Sequence, residues 1–114
     1  MQNTHSAASA QRHYARLRHA LGRLGYISQG SVQDRTARQD GGAGYQWTRK
    51  VRAKTISVAL SKEQYEWLKT AIANWRRMQE TIKEMQKLSR QVLFATVPNP
   101  PRRKRLGKRV LGLI

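Results

Sequence analysis

The sequence predicts an α+β fold with a short N-terminal helix, a small antiparallel β-hairpin or three-stranded sheet, one long α-helix and a disordered basic C-terminal tail. Three observations predict this class. Two runs of alternating apolar and polar residues, 45–51 and 54–60, follow each other closely. A stretch without Gly or Pro then extends from Lys62 to about Phe94, which is typical of a long helix. The chain ends in a proline-broken basic segment.

The chain of 114 residues is long enough for one small domain but not for two independent hydrophobic cores. We predict a disordered N-terminus over 1–10, a single α+β domain over 11–96 and a basic tail over 97–114. Within the domain, the long helix is predicted at about 61–94.

The N-terminal helix is predicted from Gln11 to Leu24. Its apolar residues recur every three or four positions, which places them on one face of a helix. Gly25 follows as a suitable C-cap, so the helix is short. The apolar face consists of Tyr14, Leu17, Leu21 and Leu24.

The sheet is predicted from the two alternating runs, 45–51 and 54–60, which form a β-hairpin around a short turn. Arg52 and Ala53 occupy the turn, although they form a poor turn dipeptide compared with Asn-Gly. The run 26–32 is a candidate third strand. A lone hairpin is marginally stable in water, so we expect the next helix to cover it.

The long helix begins with a clear N-terminal signal. Ser61 is a good N-cap, and Gln64 three residues later completes a capping box. Pro98 enforces the end of the helix. The first apolar stripe follows a 3-4-3 spacing and predicts a core face against the hairpin. This stripe consists of Tyr65, Leu68, Ile72 and Trp75.

The second half of the long helix continues the stripe after a three-residue step that shifts its phase. This looser seam predicts a surface for a partner helix. Two arrangements remain open for it: antiparallel packing on the first helix, and coiled-coil dimerisation. Because the predicted core is thin, we expect a protein partner or a homodimer through the long helix. The predicted partner-binding residues are Met78, Ile82, Met85 and Val92.

The formal net charge is +17, and the excess concentrates at the C-terminal end. The last acidic residue is Glu84, and the thirty residues after it contain eight Lys and Arg. A block of one sign cannot be neutralised inside its own fold, so it needs an external polyanion. Nucleic acid, either DNA or RNA, is therefore the predicted partner.

Three basic groups are predicted to contact phosphate: one on the hairpin, one on the long helix and one in the tail. The hairpin group is interleaved with Tyr45 and Trp47. The sequence leaves open whether these two aromatic residues belong to the core or stack on bases. The three groups are Arg49, Lys50, Arg52 and Lys54; Arg76 and Arg77; and Arg102, Arg103, Lys104, Arg105, Lys108 and Arg109.

The side chains that catalysis requires are scarce. The chain has no Cys, which excludes disulfides and thiolate zinc sites. Its six acidic residues are divided between a glycine-rich loop and the long helix, where their spacing is typical of surface ion pairs. A metal-dependent nuclease needs converging carboxylates instead. We predict a non-enzymatic binding protein with no catalytic residues, metal or cofactor.

The N-terminus lacks the apolar run of a secretory signal, and no stretch reaches the roughly 20 apolar residues of a membrane span. These observations predict no membrane association. We expect a cytoplasmic protein associated with the nucleoid or with an RNA particle.

Several blocks of the sequence, in order, resemble a small basic prokaryotic family that is held as a domain of unknown function. The resemblance covers roughly Leu24 to Ser89, more than half of the chain. The blocks are Leu24-Gly25-Tyr26-Ile27-Ser28-Gln29-Gly30-Ser31, Gly44-Tyr45-Gln46-Trp47-Thr48-Arg49-Lys50-Val51, Lys54-Thr55, Leu60-Ser61-Lys62-Glu63-Gln64, Ile72-Ala73-Asn74-Trp75-Arg76-Arg77 and the run from Glu84-Met85 to Leu88-Ser89.

Members of that family are often encoded near transposase and other mobile-element genes. The resemblance therefore implies a bacterial accessory protein for transposition or for a mobile-element effector complex. Many members carry a cysteine cluster between the Gly-Ser and Tyr-x-Trp blocks. The corresponding segment 32–43 has no Cys in this chain, so no metal role follows from the resemblance.

Two other functions remain open. A subunit of the ribosome or of another RNA particle has the same size and composition, and its basic tail would thread between RNA helices. A coiled-coil protein adaptor would dock through the seam from Met78 to Val92, with the charge only aiding recruitment. Copurification with rRNA, as opposed to DNA or a transposase, separates the RNA-particle subunit from the leading hypothesis.

Overall fold

The computed structural model describes residues 4–36 and 44–114 and confirms the predicted α+β class. In chain order, a helix precedes a three-stranded antiparallel sheet, which is followed by a long helix and a short one. The elements are α1 (Thr4–Leu21), β1 (Ser31–Asp34), β2 (Tyr45–Val51), β3 (Lys54–Leu60), α2 (Lys62–Thr96) and α3 (Lys108–Leu111).

The chain divides into two compact units. The sheet unit comprises Leu24–Met78, and the helical unit comprises Met1–Arg23 and Gln79–Ile114. Helix α2 contributes its N-terminal half to the sheet unit and its C-terminal half to the helical unit. Because the two units share a helix, the division does not show whether they fold separately. The single domain over 11–96 therefore stays a prediction.

The sheet unit is built on the predicted hairpin. Strands β2 and β3 have the predicted bounds, and β1 pairs with the other side of β2 to give the order β1-β2-β3. Trp47 lies in the middle of the register, opposite Val32 on β1 and Val58 on β3. These three side chains therefore share one face of the sheet.

Strand β1 begins at Ser31, five residues later than the candidate strand over 26–32. The preceding backbone bonds to helix α2 instead, since the Ser28 N–H donates to the Ala71 carbonyl at 3.2 Å. Gly30 then redirects the chain with a φ of 109°, a conformation that side chains rarely adopt. Residues 26–30 of the candidate strand thus lie outside the sheet, and β1 begins only at Ser31.

A two-residue turn joins β2 to β3, and both of its residues have positive φ: 50° for Arg52 and 66° for Ala53. Positive φ at both positions is the type I′ geometry, which matches the twist of hairpin strands and which Asn-Gly adopts most readily. A residue with a Cβ loses on the order of 1–2 kcal/mol in this region. The turn therefore places a basic side chain at the hairpin tip at a cost in stability.

The core of the sheet unit lies along the N-terminal half of α2. Ala71 and Ile72 are buried, and the ring centres of Tyr45 and Tyr65 lie 4.8 Å apart. The other two residues of the predicted stripe, Leu68 and Trp75, are half-buried. The first half of the long helix therefore supplies the core face that its spacing predicts.

Helix α2 begins with the predicted capping box. The Gln64 N–H donates to Ser61 Oγ at 3.1 Å, and the Ser61 N–H donates to Gln64 Oε1 at 3.0 Å. The helix contains 35 residues and ends at Thr96, two residues before Pro98. At about 1.5 Å per residue it is roughly 50 Å long, which exceeds the length that a three-stranded sheet can cover.

Helix α1 begins at Thr4, seven residues before the predicted start at Gln11. Ala7 and Ala10 are buried, as is Leu88 on the C-terminal half of α2. Alanine is the strongest helix former and loses no side-chain entropy on burial, so small residues extend the helix without a stripe of large apolar ones. The disorder predicted for 1–10 is therefore replaced by helix from Thr4 onward, and residues 1–3 lie outside the described residues.

Helix α1 lies alongside the C-terminal half of α2. Tyr14 on α1 and Val92 on α2 line the same groove of about 380 Å³. Ser6, near the start of α1, lines a cavity together with Phe94. The two helices therefore run antiparallel, which is one of the two arrangements that the seam of α2 leaves open.

Residues 97–114, the C-terminal segment, fold back on α2, so the predicted disorder of the tail is not confirmed. Arg90 Nη1 on α2 donates to the Gly112 carbonyl at 3.2 Å. Gly112 closes α3 with a φ of 73°, and the Leu113 N–H donates to the Lys108 carbonyl at 2.9 Å. The prolines that precede α3 also restrict the unfolded chain, which lowers the entropy lost when the segment becomes ordered.

Candidate nucleic-acid interface

The hairpin holds its four predicted phosphate-binding residues around the turn. Arg49 and Lys54 lie on the face that contains Trp47, Lys50 lies on the opposite face, and Arg52 lies in the turn itself. Lys50, Arg52 and Lys54 are exposed, whereas Arg49 is half-buried. The cations therefore surround the hairpin tip and do not form one flat patch.

The aromatic residues of the hairpin already have partners within the sheet unit. Trp47 Nε1–H donates to the Gln29 carbonyl at 3.0 Å, and the Arg49 guanidinium lies 4.5 Å from the centre of the Trp47 ring. Tyr45 packs on Tyr65, and both hairpin aromatics are half-buried. Trp47 thus holds Arg49 by a cation–π contact and belongs to the packing of the sheet unit.

Arg76 and Arg77 are exposed on the part of α2 that belongs to the sheet unit. Consecutive residues on an α-helix point about 100° apart. The two side chains therefore leave the helix in different directions.

The six cations of the C-terminal segment are exposed, although its backbone is ordered. Arg103 Nη2 donates to Asn99 Oδ1, and its guanidinium lies 5.3 Å from the centre of the Phe94 ring. Helix α3 carries Lys108 and Arg109. The fold-back thus fixes the path of the segment while it leaves the charges in solvent. The remaining three cations are Arg102, Lys104 and Arg105.

Arg105 and Lys108 line an open cavity of about 850 Å³ in the helical unit. Phe94 and Leu113 contribute apolar walls, and none of the described residues that line the cavity is acidic. Two cations beside apolar side chains, without a carboxylate side chain to offset them, suit an anionic ligand.

The predicted partner-binding residues lie in different environments. Met78 belongs to the sheet unit, and the other three belong to the helical unit. Met85 and Val92 are half-buried, whereas Ile82 is 38% exposed. Leu88, which is not among the predicted partner-binding residues, is buried. Its signal is present in the sequence, because Leu88 divides the seven-residue step from Met85 to Val92 into the helical spacing of three and four.

Tyr26 and Trp67 form an exposed aromatic pair that the sequence analysis does not single out. Their ring centres lie 5.2 Å apart, and the residues are 75% and 53% exposed. Asn74 Nδ2–H donates to the Tyr26 carbonyl at 3.0 Å, and the bond from Ser28 to Ala71 holds the same strip of backbone. Tyr26 and Trp67 are far apart in the sequence, so no local pattern connects them.

Few carboxylates offset the cations of the described residues. Lys87 Nζ and Glu84 Oε2 form an ion pair at 3.2 Å. Asp34 Oδ1 accepts hydrogen bonds from Thr36 Oγ1–H at 2.6 Å and from the Thr36 N–H at 3.0 Å. The side-chain bond, followed by the backbone bond, holds the pKa of Asp34 below its ordinary value of 3.8. This carboxylate therefore stays ionised, and its role is to accept the two hydrogen bonds from Thr36.

Within 4–36 and 44–114, no three potential metal ligands come together, and no helix is both long and apolar enough to cross a bilayer. No family model, curated protein or solved structure matches the chain.

Proposed function

We propose that the chain is a non-enzymatic nucleic-acid-binding protein whose hairpin tip and C-terminal segment contact the phosphate backbone. The observation that carries the proposal is the C-terminal segment, with six exposed cations in a region that has no acidic residue after Glu84. A polyanion neutralises such a block and releases its own condensed counterions, which drives binding independently of base sequence.

The hairpin supports the same function within the sheet unit. Lys50, Arg52 and Lys54 are exposed around a turn whose two residues have positive φ. Residues with strained backbone cluster at functional sites, where the surrounding structure holds them in place. A two-stranded ribbon is also narrow enough to enter the major groove of duplex DNA. The hairpin tip therefore offers both charge and shape for a nucleic-acid groove.

The exposed pair of Tyr26 and Trp67 favours a ligand with unpaired bases. Aromatic rings in solvent offer faces on which bases stack, and each stacked base contributes on the order of 1–3 kcal/mol. The backbone beneath the pair is fixed by hydrogen bonds to α2, so little ordering is needed on binding. We therefore extend the proposal to single-stranded or locally unpaired nucleic acid as the preferred ligand.

Fluorescence anisotropy with a labelled single strand and a duplex of equal length tests the proposal. Trp67→Ala is expected to weaken single-strand binding about 5- to 150-fold, the equivalent of one stacked base, and to leave duplex binding unchanged. Trp67→Phe should retain most of the affinity, because the ring is kept. Leu93→Ala, which shortens another exposed side chain of α2, is the matched control and should change neither affinity.

Two results would count against this function. If the chain binds neither ligand at low ionic strength, the proposal fails entirely. If Trp67→Ala binds both ligands as the unchanged chain does, the stacking role fails and the phosphate contacts remain.

The biological setting follows from a separate experiment. The resemblance in the sequence implies an accessory protein of a mobile element. Sequencing the nucleic acid that crosslinks to the protein in its native host should recover mobile-element DNA or its transcripts. Recovery of rRNA would assign the chain to an RNA particle instead.

A further inference from the structure

Strand β3 is an uncovered edge of the sheet. All of its residues except Leu60 are exposed, and Ile56 and Val58 are 37% and 39% exposed. The strand pairs with β2 without a bulge, contains no Pro or Gly and carries one charge, Lys54. Unpaired edges are usually protected by a short length, a bulge, a proline or charged side chains, especially Lys. The opposite edge, β1, is only four residues long, whereas β3 has seven residues and a single protecting charge, Lys54, at its first position.

The backbone of β3 has hydrogen-bonding groups that face away from β2. In a two-residue hairpin, the residues that flank the turn, here Val51 and Lys54, form a hydrogen-bonded pair, and bonding then alternates along the strands. The N–H and C=O groups of Thr55, Ser57 and Ala59 therefore point to the free edge. No other backbone group of residues 4–36 or 44–114 pairs with them.

We propose that the partner at this edge is a second copy of the chain, whose β3 adds antiparallel to the first and forms a continuous six-stranded sheet. The strand is self-complementary about its central residue. With Ser57 opposite Ser57 of the second copy, Ile56 lies opposite Val58, and Thr55 lies opposite Ala59. The half-exposed β-branched side chains then cover each other, and the free edge groups all find partners.

The position of Lys54 favours the antiparallel arrangement. The two copies of Lys54 then lie at opposite ends of the paired strands, about 20 Å apart at roughly 3.3 Å per residue. This separation exceeds the Debye length of about 8 Å at physiological ionic strength. A parallel arrangement would place the two ammonium groups side by side. Because the net charge of +17 opposes self-association, added salt should strengthen the dimer, whereas it weakens nucleic-acid binding.

Sedimentation velocity of the full chain, freed of nucleic acid, tests the proposal from low micromolar to near-millimolar concentration. The unchanged chain is expected to show a monomer–dimer equilibrium. Ser57→Lys and Ser57→Glu each place like charges opposite one another, so each variant should be monomeric. An equimolar mixture of the two should form a heterodimer, because opposite charges then meet. Gln33→Lys adds the same charge to the same face at the other edge and should leave the dimer intact.

Restored association in the mixture also shows that both Ser57 variants are folded. Ser57→Pro provides a second test: the Ser57 N–H does not serve the ladder to β2, so proline should preserve the hairpin and prevent pairing between copies. The proposal is overturned if the unchanged chain stays monomeric at the highest concentration. It is also overturned if Ser57→Lys leaves a dimer intact that Met85→Asp dissociates, because the interface then lies on α2. Both outcomes concern the free protein, so they leave the nucleic-acid proposal untouched.

Discussion

The hairpin and the C-terminal segment both expose cations, but they hold them in different ways. In the hairpin, strand register fixes the position of Lys54, and a turn with positive φ fixes Arg52. In the C-terminal segment, six cations lie within residues 102–109, and a small number of contacts, such as the bond from Arg90 to the Gly112 carbonyl, fix its path. The hairpin thus holds its cations in defined positions, whereas the C-terminal segment contributes the larger number of charges.

This difference separates two properties that binding proteins often combine. Electrostatic affinity depends on the number of phosphates that are neutralised, and it tolerates a loosely held backbone. Orientation on the ligand depends on positions that a rigid element defines. Four sets of substitutions test whether charge and position contribute separately, and the removal of charge should have the largest effect.

Neutralising the C-terminal segment should have the largest effect. With all six of its cations replaced by Gln, the slope of log K against log[salt] for duplex DNA should become less steep by about 5, because each lost phosphate contact removes about 0.9. The same replacement of Lys50, Arg52 and Lys54 removes half as many cations and should flatten the slope about half as much. Fluorescence anisotropy measures both slopes. A larger change of slope in the hairpin variant than in the C-terminal variant would show that the hairpin makes the larger electrostatic contribution.

Gly30→Ala should destabilise the packing of Gly30 against the hairpin. A Cβ at Gly30 would lie 2.3 Å from Trp47 Nε1 and 2.6 Å from the Thr48 carbonyl oxygen, at a φ of 109°. Overpacking and backbone strain together should lower the free energy of unfolding by about 3 kcal/mol.

Gly44→Ala is the matched control for this change. Gly44 has a φ of 93°, and a Cβ there would meet no atom of the described residues within 4 Å. Strain alone should cost about 1–2 kcal/mol in urea unfolding. Equal losses of stability in the two variants would show that the close packing of Gly30 against Trp47 adds nothing to the strain of a positive φ.

Gly112→Ala should loosen the C-terminal segment and leave its charge unchanged. Gly112 has a φ of 73°, and a Cβ there would lie 2.6 Å from Arg90 Cδ, so the substitution should both strain the backbone and displace the Arg90 side chain. Backbone strain of about 1.4 kcal/mol already corresponds to a tenfold faster hydrogen exchange of the Leu113 amide. Gly107→Ala should leave exchange unaltered, because Gly107 has a φ of −75° and open space around it within the described structure. Affinity for duplex DNA should be the same for both variants. A large loss of affinity in Gly112→Ala alone would show that binding also depends on the positions in which the segment holds its cations.

Ala53→Gly should have the smallest effect, with the opposite sign. The φ of 66° at Ala53 suits glycine, so the free energy of unfolding should rise by about 1 kcal/mol while the Arg52 cation is kept. Urea unfolding measures the change. An unchanged or lower stability would show that the turn is not strained.

The hairpin and the long helix could be predicted from the sequence because their signals are local. Alternation over two seven-residue runs defines the strands, and the reciprocal bonds of Ser61 and Gln64 define the start of α2. The phosphate-binding residues stay predictions, and the structure shows where they lie. All of them except Arg49 are exposed, as expected for Lys and Arg, which are rarely buried unless paired.

The features that the sequence did not predict depend on tertiary contacts. The first turns of α1 bury Ala7 and Ala10, which give no periodic signal of large apolar side chains. The order of the C-terminal segment depends on Arg90, which is distant in the sequence from Gly112. The aromatic pair likewise joins two distant residues, and only the folded chain shows that both rings remain exposed.

The salt dependence of binding tests the central claim most directly. For the unchanged chain and a duplex of fixed length, log K plotted against log[salt] should be a straight line with a slope of about −8, if each of the six cations in the C-terminal segment and each of the three exposed cations of the hairpin neutralises one phosphate. A flat plot would contradict the account, as would the absence of binding at about 20 mM ionic strength, where charge screening is weak.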